Sequence, residues 1–278
     1  MDVREFIVLA LEEDVAAGDY STLASISPEA EGKATLKIKE DGILAGMELA
    51  QEIFHHLQPD AVFSPLKKDG DIIRKGEIAF DVAARVHTIL KAERLVLNCM
   101  QRMSGIATMT KTYADRISNY SSKILDTRKT TPLFRRFEKE AVRIGGGYNH
   151  RMGLYDMIML KDNHIDYCGG IEAAILKTNE YLKANNLDLK IEVETRNLDD
   201  VHQVLQTGHV HRIMLDNYSP DLITEAVKMI GGRYETEASG GIHLENIEQY
   251  AATGVDFISI GALTHHAVSL DLSLKAAI

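Results

Sequence analysis

The chain has 278 residues, 45% of them hydrophobic and 26% charged, which excludes a disordered chain and a membrane protein. Its 31 Lys and Arg against 41 Asp and Glu give a net charge of −10, which argues against non-specific nucleic-acid binding. Cys99 and Cys168 lie far apart and without metal-ligand spacing, so we expect no disulfide framework, no zinc site and a reducing cytoplasm.

The first 110 residues mix predicted helices with short strands. Residues 1–14 carry acids on both sides of a short apolar stretch, which predicts an amphipathic helix and not a signal peptide. Residues 33–39 alternate apolar and charged side chains, as in a strand of a sheet with one exposed face. Residues 84–117 repeat apolar side chains at helical spacing, which predicts a long helix with a buried face. Arg102 lies off that face, where the alternative is a solvated arginine.

The second half alternates short apolar runs with helical stretches. The runs lie at 124–125, 157–160, 189–193, 213–215, 234–238 and 257–260. The helical stretches lie at 171–184, 198–206, 220–230 and 244–252. This alternation predicts a parallel sheet. About six repeats and the lack of a dinucleotide-type glycine fingerprint favour an α/β barrel, with active groups at the carboxyl ends of its strands.

Cations are concentrated in the middle of this acidic chain. Between 128 and 151 there are seven Lys or Arg (128, 129, 135, 136, 139, 143 and 151) against two Glu (138 and 140), which is 7 − 2 = +5. A further lysine, Lys161, follows the run 157–160. We therefore expect a ligand with several negative charges. The alternative is that these charges solvate a loop and a helix face, but cations at several predicted strand ends favour a site.

Acidic side chains mark the later strands. Glu192 and Glu194 alternate with Ile191 and Val193, so both carboxylates should face the barrel interior, where they need a metal, a cation or a hydrogen-bond donor. The alternative, an edge strand with both glutamates in water, is disfavoured because the strand lies mid-series. Asp216 adds a third carboxylate. Glu237, which alternates with Glu235 and Ser239, ranks below these three.

Serine and glycine follow the last two predicted strands. Ser239-Gly240-Gly241 and Ser259-Ile260-Gly261 could each cup a phosphate with backbone amides. Either one alone is more often a plain turn. Of the four histidines that suggest metal ligation (164, 243, 265 and 266), His164 is better explained by a structural hydrogen bond, and only His265 is assigned a phosphate contact.

Three motifs carry a family resemblance. Asp126-Thr-Arg-Lys-Thr-Thr-Pro132, Gly145-Gly-Gly-Tyr-Asn-His-Arg151 and Lys161-Asp-Asn-His164 resemble the signature of the quinolinate phosphoribosyltransferases, the decarboxylating nicotinate-nucleotide pyrophosphorylases. Segments 92–108, 191–194, 214–217, 237–242 and 258–261 extend the match in the same order over nearly the whole chain. Leu133 departs from the family, which is expected to have glycine there, and this affects the shape of the turn more than the chemistry.

The resemblance implies a fold and an activity. The fold is an N-terminal α+β open-faced sandwich domain over 1–110, including the start of the long helix, and an incomplete α/β barrel over 111–265. The segment 266–278 should return to the N-terminal domain. The activity is transfer of phosphoribose from 5-phosphoribosyl 1-pyrophosphate (PRPP) to quinolinate. Decarboxylation then gives nicotinate mononucleotide for NAD synthesis.

The resemblance also implies roles for individual residues. The predicted catalytic residues are Lys129, Lys161, Glu192, Glu194 and Asp216. The predicted quinolinate-binding residues are Thr127, Arg128, Lys129, His150, Arg151 and Lys161, with Arg102 reaching across a homodimer interface. The predicted phosphate-binding residues are Ser239, Gly240, Gly241, Ser259, Gly261 and His265. Mg²⁺ is expected to arrive with PRPP and to meet Glu194 and Asp216. No decarboxylation base is needed, because the ribosylated pyridinium takes up the electrons left by carbon dioxide.

Three alternatives remain from the sequence. A related molybdenum-transport-associated family shares the architecture, but intact DTRKT and KDNH motifs argue against it. A nicotinate-using transferase would differ by releasing no carbon dioxide. A non-catalytic sensor of pyridine dicarboxylate or PRPP could keep the cations without the acids, so the presence of all three carboxylates favours turnover.

Overall fold

The structure, a computed structural model, describes residues 2–277 and divides into two compact units. The first unit contains residues 2–111, 131–146 and 266–277, and the second contains 112–130 and 147–265. Within residues 2–277, no helix combines the length and the hydropathy needed to cross a bilayer.

Eleven helices are assigned within the described residues. They are α1 Val3–Val15, α2 Tyr20–Ser25, α3 Met47–Leu57, α4 Val86–Arg116, α5 Arg135–Ile144, α6 Asp162–Cys168, α7 Ile171–Ala184, α8 Leu198–Thr207, α9 Pro220–Ile230, α10 Ile247–Ala251 and α11 Ala262–His265.

Twelve strands are assigned over the same residues. They are β1 Glu31–Ile38, β2 Gly42–Ile43, β3 Val62–Pro65, β4 Ile72–Ile73, β5 Ile78–Arg85, β6 Lys123–Leu125, β7 Ile158–Leu160, β8 Ile191–Thr195, β9 Arg212–Asp216, β10 Glu235–Ser239, β11 Phe257–Ser259 and β12 Leu272–Ala276.

The first unit is built on an antiparallel sheet with strand order β12-β1-β5-β3. The C-terminal strand β12 pairs along β1, from Ala34↔Ala276 to Ile38↔Leu272. Phe54 on α3 packs with Phe63 and Phe80 of the sheet, at ring-centroid distances of 6.0 and 6.1 Å. Such apolar contacts supply most of the stabilisation of a small α+β layer.

The second unit is built on a parallel sheet with strand order β6-β11-β10-β9-β8-β7. Among residues 2–277 no strand pairing joins β6 to β7, so the predicted incomplete α/β barrel is confirmed. Hydrophobic side chains such as Ile191, Val193 and Ile213 are fully buried on one face of the strands. Glu192 and Glu194 alternate with them on the other face, as the pattern predicted.

Local signals explain the helices that cover this sheet. Asn197 begins α8 by accepting a hydrogen bond from the Asp200 N–H, and Ser219 begins α9 by accepting one from the Leu222 N–H. Pro220 occupies the first turn of α9, where a missing N–H costs nothing. These caps set where the chain turns after the strand ends that carry the polar residues.

Candidate active site

The carboxyl ends of all six parallel strands carry polar side chains. Asp126 to Lys129 follow β6, and Lys161 directly follows β7. Glu194 is the last residue but one of β8, and Asp216, Ser239 and Ser259 end β9, β10 and β11. Because the strands are parallel, all of these ends lie at the same edge of the sheet, the edge that carries the active site in α/β barrels.

Lys161 and Glu194 form an ion pair at this edge. The Lys161 Nζ lies 2.9 Å from Glu194 Oε2, with 47% of the lysine side chain exposed and 8% of the glutamate side chain exposed. His164 accepts a hydrogen bond from the Lys161 backbone N–H at Nδ1, 3.0 Å away, which supports the structural role predicted for this histidine. A solvent-facing cation is thus held by a nearly buried acid, and both remain close to bulk solvent.

Lys129 is anchored through its backbone. Its carbonyl accepts a hydrogen bond from Thr264 Oγ1 at 2.7 Å, and its N–H donates to Thr127 Oγ1 at 3.1 Å. A Cβ at Gly261 would lie 3.0 Å from Lys129 Cδ and 2.9 Å from His265 Nε2. Glycine at 261 therefore allows the loop after β11 to approach these two side chains closely.

Within the described residues, Asp216 is hydrogen bonded by neutral groups only. Its oxygens accept hydrogen bonds from the Ser239 hydroxyl and from Asn217 Nδ2, the latter at 2.6 Å. Gly240 follows with φ +90°, and a Cβ there would lie 2.1 Å from Asn217 Oδ1. This tight approach requires glycine. Among residues 2–277, no cation pairs with the negative charge of Asp216.

His150 and Arg151 are held by the backbone and by Asp126. The fully buried Asp126 accepts from the His150 N–H at 2.8 Å and from Asn149 Nδ2 at 2.5 Å. The half-buried Arg151 donates from Nη1 to the Met157 carbonyl at 3.2 Å. Burial lowers the pKa of Arg151, and the positive charge of Arg128 lowers it further, which places two guanidinium groups near each other.

A buried acid–histidine layer lies deeper in the barrel. The His150 Nε2 lies 2.9 Å from Glu192 Oε2 and 3.3 Å from Glu237 Oε2, and Arg212 Nη1 donates to the same Glu237 oxygen at 2.9 Å. Glu192 and Glu237 are both fully buried. We refer to His150, Glu192, Glu237 and Arg212 as the barrel-core network.

The charges of the barrel-core network shift one another's pKa values. Burial lowers the pKa of His150. The interactions of its imidazole with Glu192 and Glu237 outweigh the effect of burial and raise the pKa to about 9. Burial raises the pKa of Glu192, with a further increase from Glu237. Burial also acts to raise the pKa of Glu237, but His150 and Arg212 outweigh it and lower it.

The comparisons with known proteins decide the family. Residues 19–104 match the quinolinate phosphoribosyl transferase N-terminal domain, and residues 106–275 match the C-terminal domain. The chain belongs to the quinolinate phosphoribosyl transferase family.

Similar proteins span nearly the whole chain. A nicotinate-nucleotide pyrophosphorylase [carboxylating], chloroplastic, of Arabidopsis thaliana is 47% identical over 289 residues, covering 99% of this chain and 82% of the relative. A probable nicotinate-nucleotide pyrophosphorylase [carboxylating] of Bacillus subtilis is 42% identical and covers 96% and 90%. The crystal structure of NadC from Streptococcus pyogenes has a TM-score of 0.92 at 39% identity, covering 99% of this chain and 97% of the other.

Arg102 lies in the first unit of this phosphoribosyl transferase. Its Nε and Nη2 each donate to Glu138 Oε1 at 2.9 Å, and its Nη1 donates to the Ala267 carbonyl at 2.8 Å. Its reach into a neighbouring subunit stays a prediction. The remaining predicted site residues (127–129, 150, 151, 161, 192, 194, 216, 239–241, 259, 261 and 265) all belong to the second unit.

The structure divides the run of cations that the sequence placed together. Of the seven, Arg128, Lys129 and Arg151 belong to the barrel, whereas the other four (135, 136, 139 and 143) lie on α5 in the first unit. Lys139 is fully buried there. The local charge of +5 is therefore divided between the two units.

Some residues around the site were missed or ranked low by sequence reasoning. Arg212 begins an apolar strand, where a cation is typical of a solvated strand end, yet it is only 8% exposed. Asp126 and Thr264 act on backbone groups across the fold, which a local pattern does not indicate. The sequence ranks Glu237 below Glu192, Glu194 and Asp216, although its alternation with Ser239 places it on the barrel-facing side of β10.

Proposed function

We infer that the chain is a quinolinate phosphoribosyltransferase. It transfers phosphoribose from PRPP to the ring nitrogen of quinolinate and releases pyrophosphate and carbon dioxide, giving nicotinate mononucleotide for NAD synthesis. Family membership over both domains and identities of 42% to 47% with proteins named for this activity support the assignment. The C1–O bond of PRPP breaks, a C1–N bond forms, and the electrons of the lost carboxylate stay on the ring carbon, which then takes a proton.

The observation that carries this conclusion is the meeting of both charge signs at one barrel edge. Exposed Arg128, Lys129 and Lys161 suit the carboxylates of quinolinate and the phosphates of PRPP. Glu194 and Asp216 at the same edge suit the sugar as it becomes cationic. A protein that only binds anions would not need the carboxylates of Glu194 and Asp216.

We propose that the cations at the barrel edge bind quinolinate and also meet the phosphates of PRPP. The side chains proposed to hold quinolinate are those of Thr127, Arg128, Lys129, Arg151 and Lys161, with the buried His150 supporting Arg151 from behind. The hydrogen bond from Arg151 to the Met157 carbonyl and the effect of the Arg128 charge on the pKa of Arg151 support the place of Arg151 in this set. Lys161, paired with Glu194, places a positive charge at the edge where quinolinate carboxylates and the pyrophosphate of PRPP are proposed to bind. Orientation of the two substrates by these fixed charges supplies much of the rate acceleration.

The 5′-phosphate of PRPP is proposed to bind at the ends of β10 and β11. Ser239 with Gly240 and Gly241, and Ser259 with Gly261 and His265, offer backbone N–H groups and hydroxyls. The close approach of Gly261 to Lys129 supports this placement, since a phosphate there would meet a cation as well.

Mg²⁺ is proposed to arrive with PRPP. The donor set fits a hard cation, because it consists of carboxylate oxygens at an open edge. Asp216 fits better than Glu194, since Asp216 contacts only neutral donors while Lys161 already compensates Glu194. When bound, the ion would neutralise charge on the departing pyrophosphate.

We further propose a homodimer in which Arg102 completes the neighbouring subunit's site. The test is complementation between two inactive variants, Arg102→Ala and Lys161→Met. In an equal mixture that exchanges subunits, half the dimers are mixed and each has one intact site, so about a quarter of the sites should recover. No recovery, despite subunit exchange shown by a tagged copy, would rule out the crossing arginine.

A matched pair of lysine variants tests the activity and the site together. Protein, Mg²⁺, quinolinate and PRPP are mixed, and nicotinate mononucleotide and carbon dioxide are measured. We expect Lys161→Met to lose roughly 100-fold or more in turnover, as for a charge that stabilises the transition state. Lys190→Met is the control, because Lys190 lies 3.9 Å from Glu235 at the opposite ends of the strands and is also exposed.

Each alternative gives a different result in this assay. Tight binding of quinolinate or PRPP by the wild-type protein without product would indicate a sensor. Product formation from nicotinate without carbon dioxide would indicate a nicotinate-using transferase. Equal losses in Lys161→Met and Lys190→Met would contradict the placement of the site.

A cytoplasmic location is also proposed, supported only by the two cysteines, which are both free.

A further inference from the structure

The starting observation is that two carboxylates are buried where the proposed chemistry does not need them. Glu192 and Glu237 are fully buried, and among residues 2–277 neither oxygen of Glu192 nor the Glu237 Oε1 has a hydrogen bond of good geometry. Burying a carboxylate costs several kcal/mol unless another group compensates it. What both contact is the imidazole of His150, at 2.9 and 3.3 Å from Nε2.

Depth separates Glu192 from the acid beside it. Glu194 lies two residues further along β8, about 7 Å nearer the carboxyl end, and contacts the exposed Lys161. Glu192 pairs in register with Met159 of β7 and Arg212 of β9, below the edge where PRPP is proposed to bind. A direct role on the sugar, as predicted for Glu192, requires it to reach past Glu194.

The imidazole connects these acids to the backbone of the quinolinate-binding segment. The Arg151 N–H donates to His150 Nδ1 at 2.6 Å, so the imidazole carries its proton on Nε2, between the two carboxylates. The His150 N–H is held separately by Asp126 at 2.8 Å. A second proton on His150 would have to displace the Arg151 N–H. The carboxylates therefore favour a doubly protonated imidazole, whereas the Arg151 N–H disfavours it.

We propose that Glu192 and Glu237 are positioning residues for quinolinate, acting through His150 to fix the backbone from which Arg151 extends. Arg212, 2.9 Å from Glu237, holds the second carboxylate in place. In this arrangement Asp126 fixes the segment from the end of β6, and the acids fix it from within the barrel. The inference rests on the proposed function, because it assigns Arg151 to quinolinate.

The single-variant test separates positioning from direct catalysis. In Glu192→Gln, we expect the KM and the calorimetric Kd for quinolinate to rise roughly 10- to 100-fold, as when a supporting partner is removed, with the KM for PRPP within about twofold. Glu235→Gln is the matched control, because Glu235 lies on the same strand as Glu237 and contacts Arg212 without contacting His150. It should leave quinolinate binding unchanged.

A double-mutant cycle tests whether Glu192 acts through the histidine. In a His150→Gln background, Glu192→Gln should change the quinolinate Kd by less than about twofold, because the group it positions is already gone. Independent, additive losses would overturn the proposal. So would a fall in kcat with an unchanged quinolinate Kd, which would return Glu192 to a direct role on the sugar.

Two outcomes distinguish this proposal from the proposed function. If the wild-type protein binds quinolinate and the Glu192→Gln variant binds it equally well, the positioning role alone is refuted. If the wild-type protein does not bind quinolinate, both are refuted. Should Glu192→Gln fail to fold, Glu237→Gln tests the same imidazole from the other carboxylate, with the same expected loss of quinolinate affinity.

Discussion

The Glu138 carboxylate accepts hydrogen bonds from both Arg102 and Thr131. Replacing Glu138 with glutamine should therefore lower the unfolding free energy of the protein. The side chain is fully buried, and its Oε1 accepts from Arg102 Nε, Arg102 Nη2 and Thr131 Oγ1, each at 2.9 Å. Its Oε2 accepts from the Thr131 N–H at 3.0 Å. Thr131 lies two residues after Lys129, and Arg102 is the residue proposed to reach the neighbouring site.

The expected magnitude follows from these four bonds. A glutamine oxygen in place of Oε1 keeps three of them but without charge, at a loss of up to about 1 kcal/mol each. The glutamine NH₂ then faces the Thr131 N–H. Because both groups are donors, this contact lowers the stability by about 1 kcal/mol or more. Relief from burying a carboxylate offsets part of this sum. We expect Glu138→Gln to lose about 3 kcal/mol, which for a chain of this size lowers Tm by roughly 5–10 °C.

Thermal unfolding followed by circular dichroism measures this loss, and the same helix provides the control. Burial raises the pKa of Glu140, with Asp69 and Glu48 adding to the increase, so its carboxylate is unfavourably placed. Glu140→Gln should therefore leave Tm unchanged or raise it. If Glu138→Gln lowers Tm by no more than Glu140→Gln does, the four-bond arrangement does not stabilise the protein as argued.

Two further predictions concern backbone strain and a close approach. Leu133, 71% exposed with φ +64°, should be replaceable by glycine with a gain of about 0.5–1 kcal/mol in unfolding free energy by urea titration, and a loss would contradict the strain. Gly240→Ala should raise the KM for PRPP at least tenfold, because its Cβ would meet Asn217 Oδ1 at 2.1 Å, and unchanged kinetics would remove the β10 loop from the site.

The barrel could be predicted from the sequence because parallel strands buried on one face leave a simple pattern. Apolar runs mark the strands, and the predicted helices 171–184 and 220–230 coincide with α7 and α9. The alternation in β8 also placed Glu192 and Glu194 on the barrel-facing side. These features are local, since they depend on a period of two or of 3.6 residues.

What could not be predicted depends on where the chain goes after each element. The cations at 135, 136, 139 and 143 follow Arg128 closely in sequence, but Phe137, Ala141 and Val142 make one face of α5 apolar and bury it in the first unit. Likewise, a period of two gives the face on which Glu192 lies but not its depth in the barrel. That depth is set by register with β7 and β9, which is a non-local property.

The polar residues of the barrel differ in role according to their depth. Phe257 lies under Arg212 at 4.1 Å from the guanidinium carbon, and Arg212 neutralises Glu237 in the layer above. That layer contacts His150, and at the edge above it the exposed Lys161 pairs with the nearly buried Glu194. A charge at the edge can change partners when substrate arrives because water compensates it, whereas a charge in the core cannot. The solvent-facing Lys161 is therefore suited to exchanging Glu194 for a substrate anion, and the buried network is suited to holding its groups in one arrangement throughout.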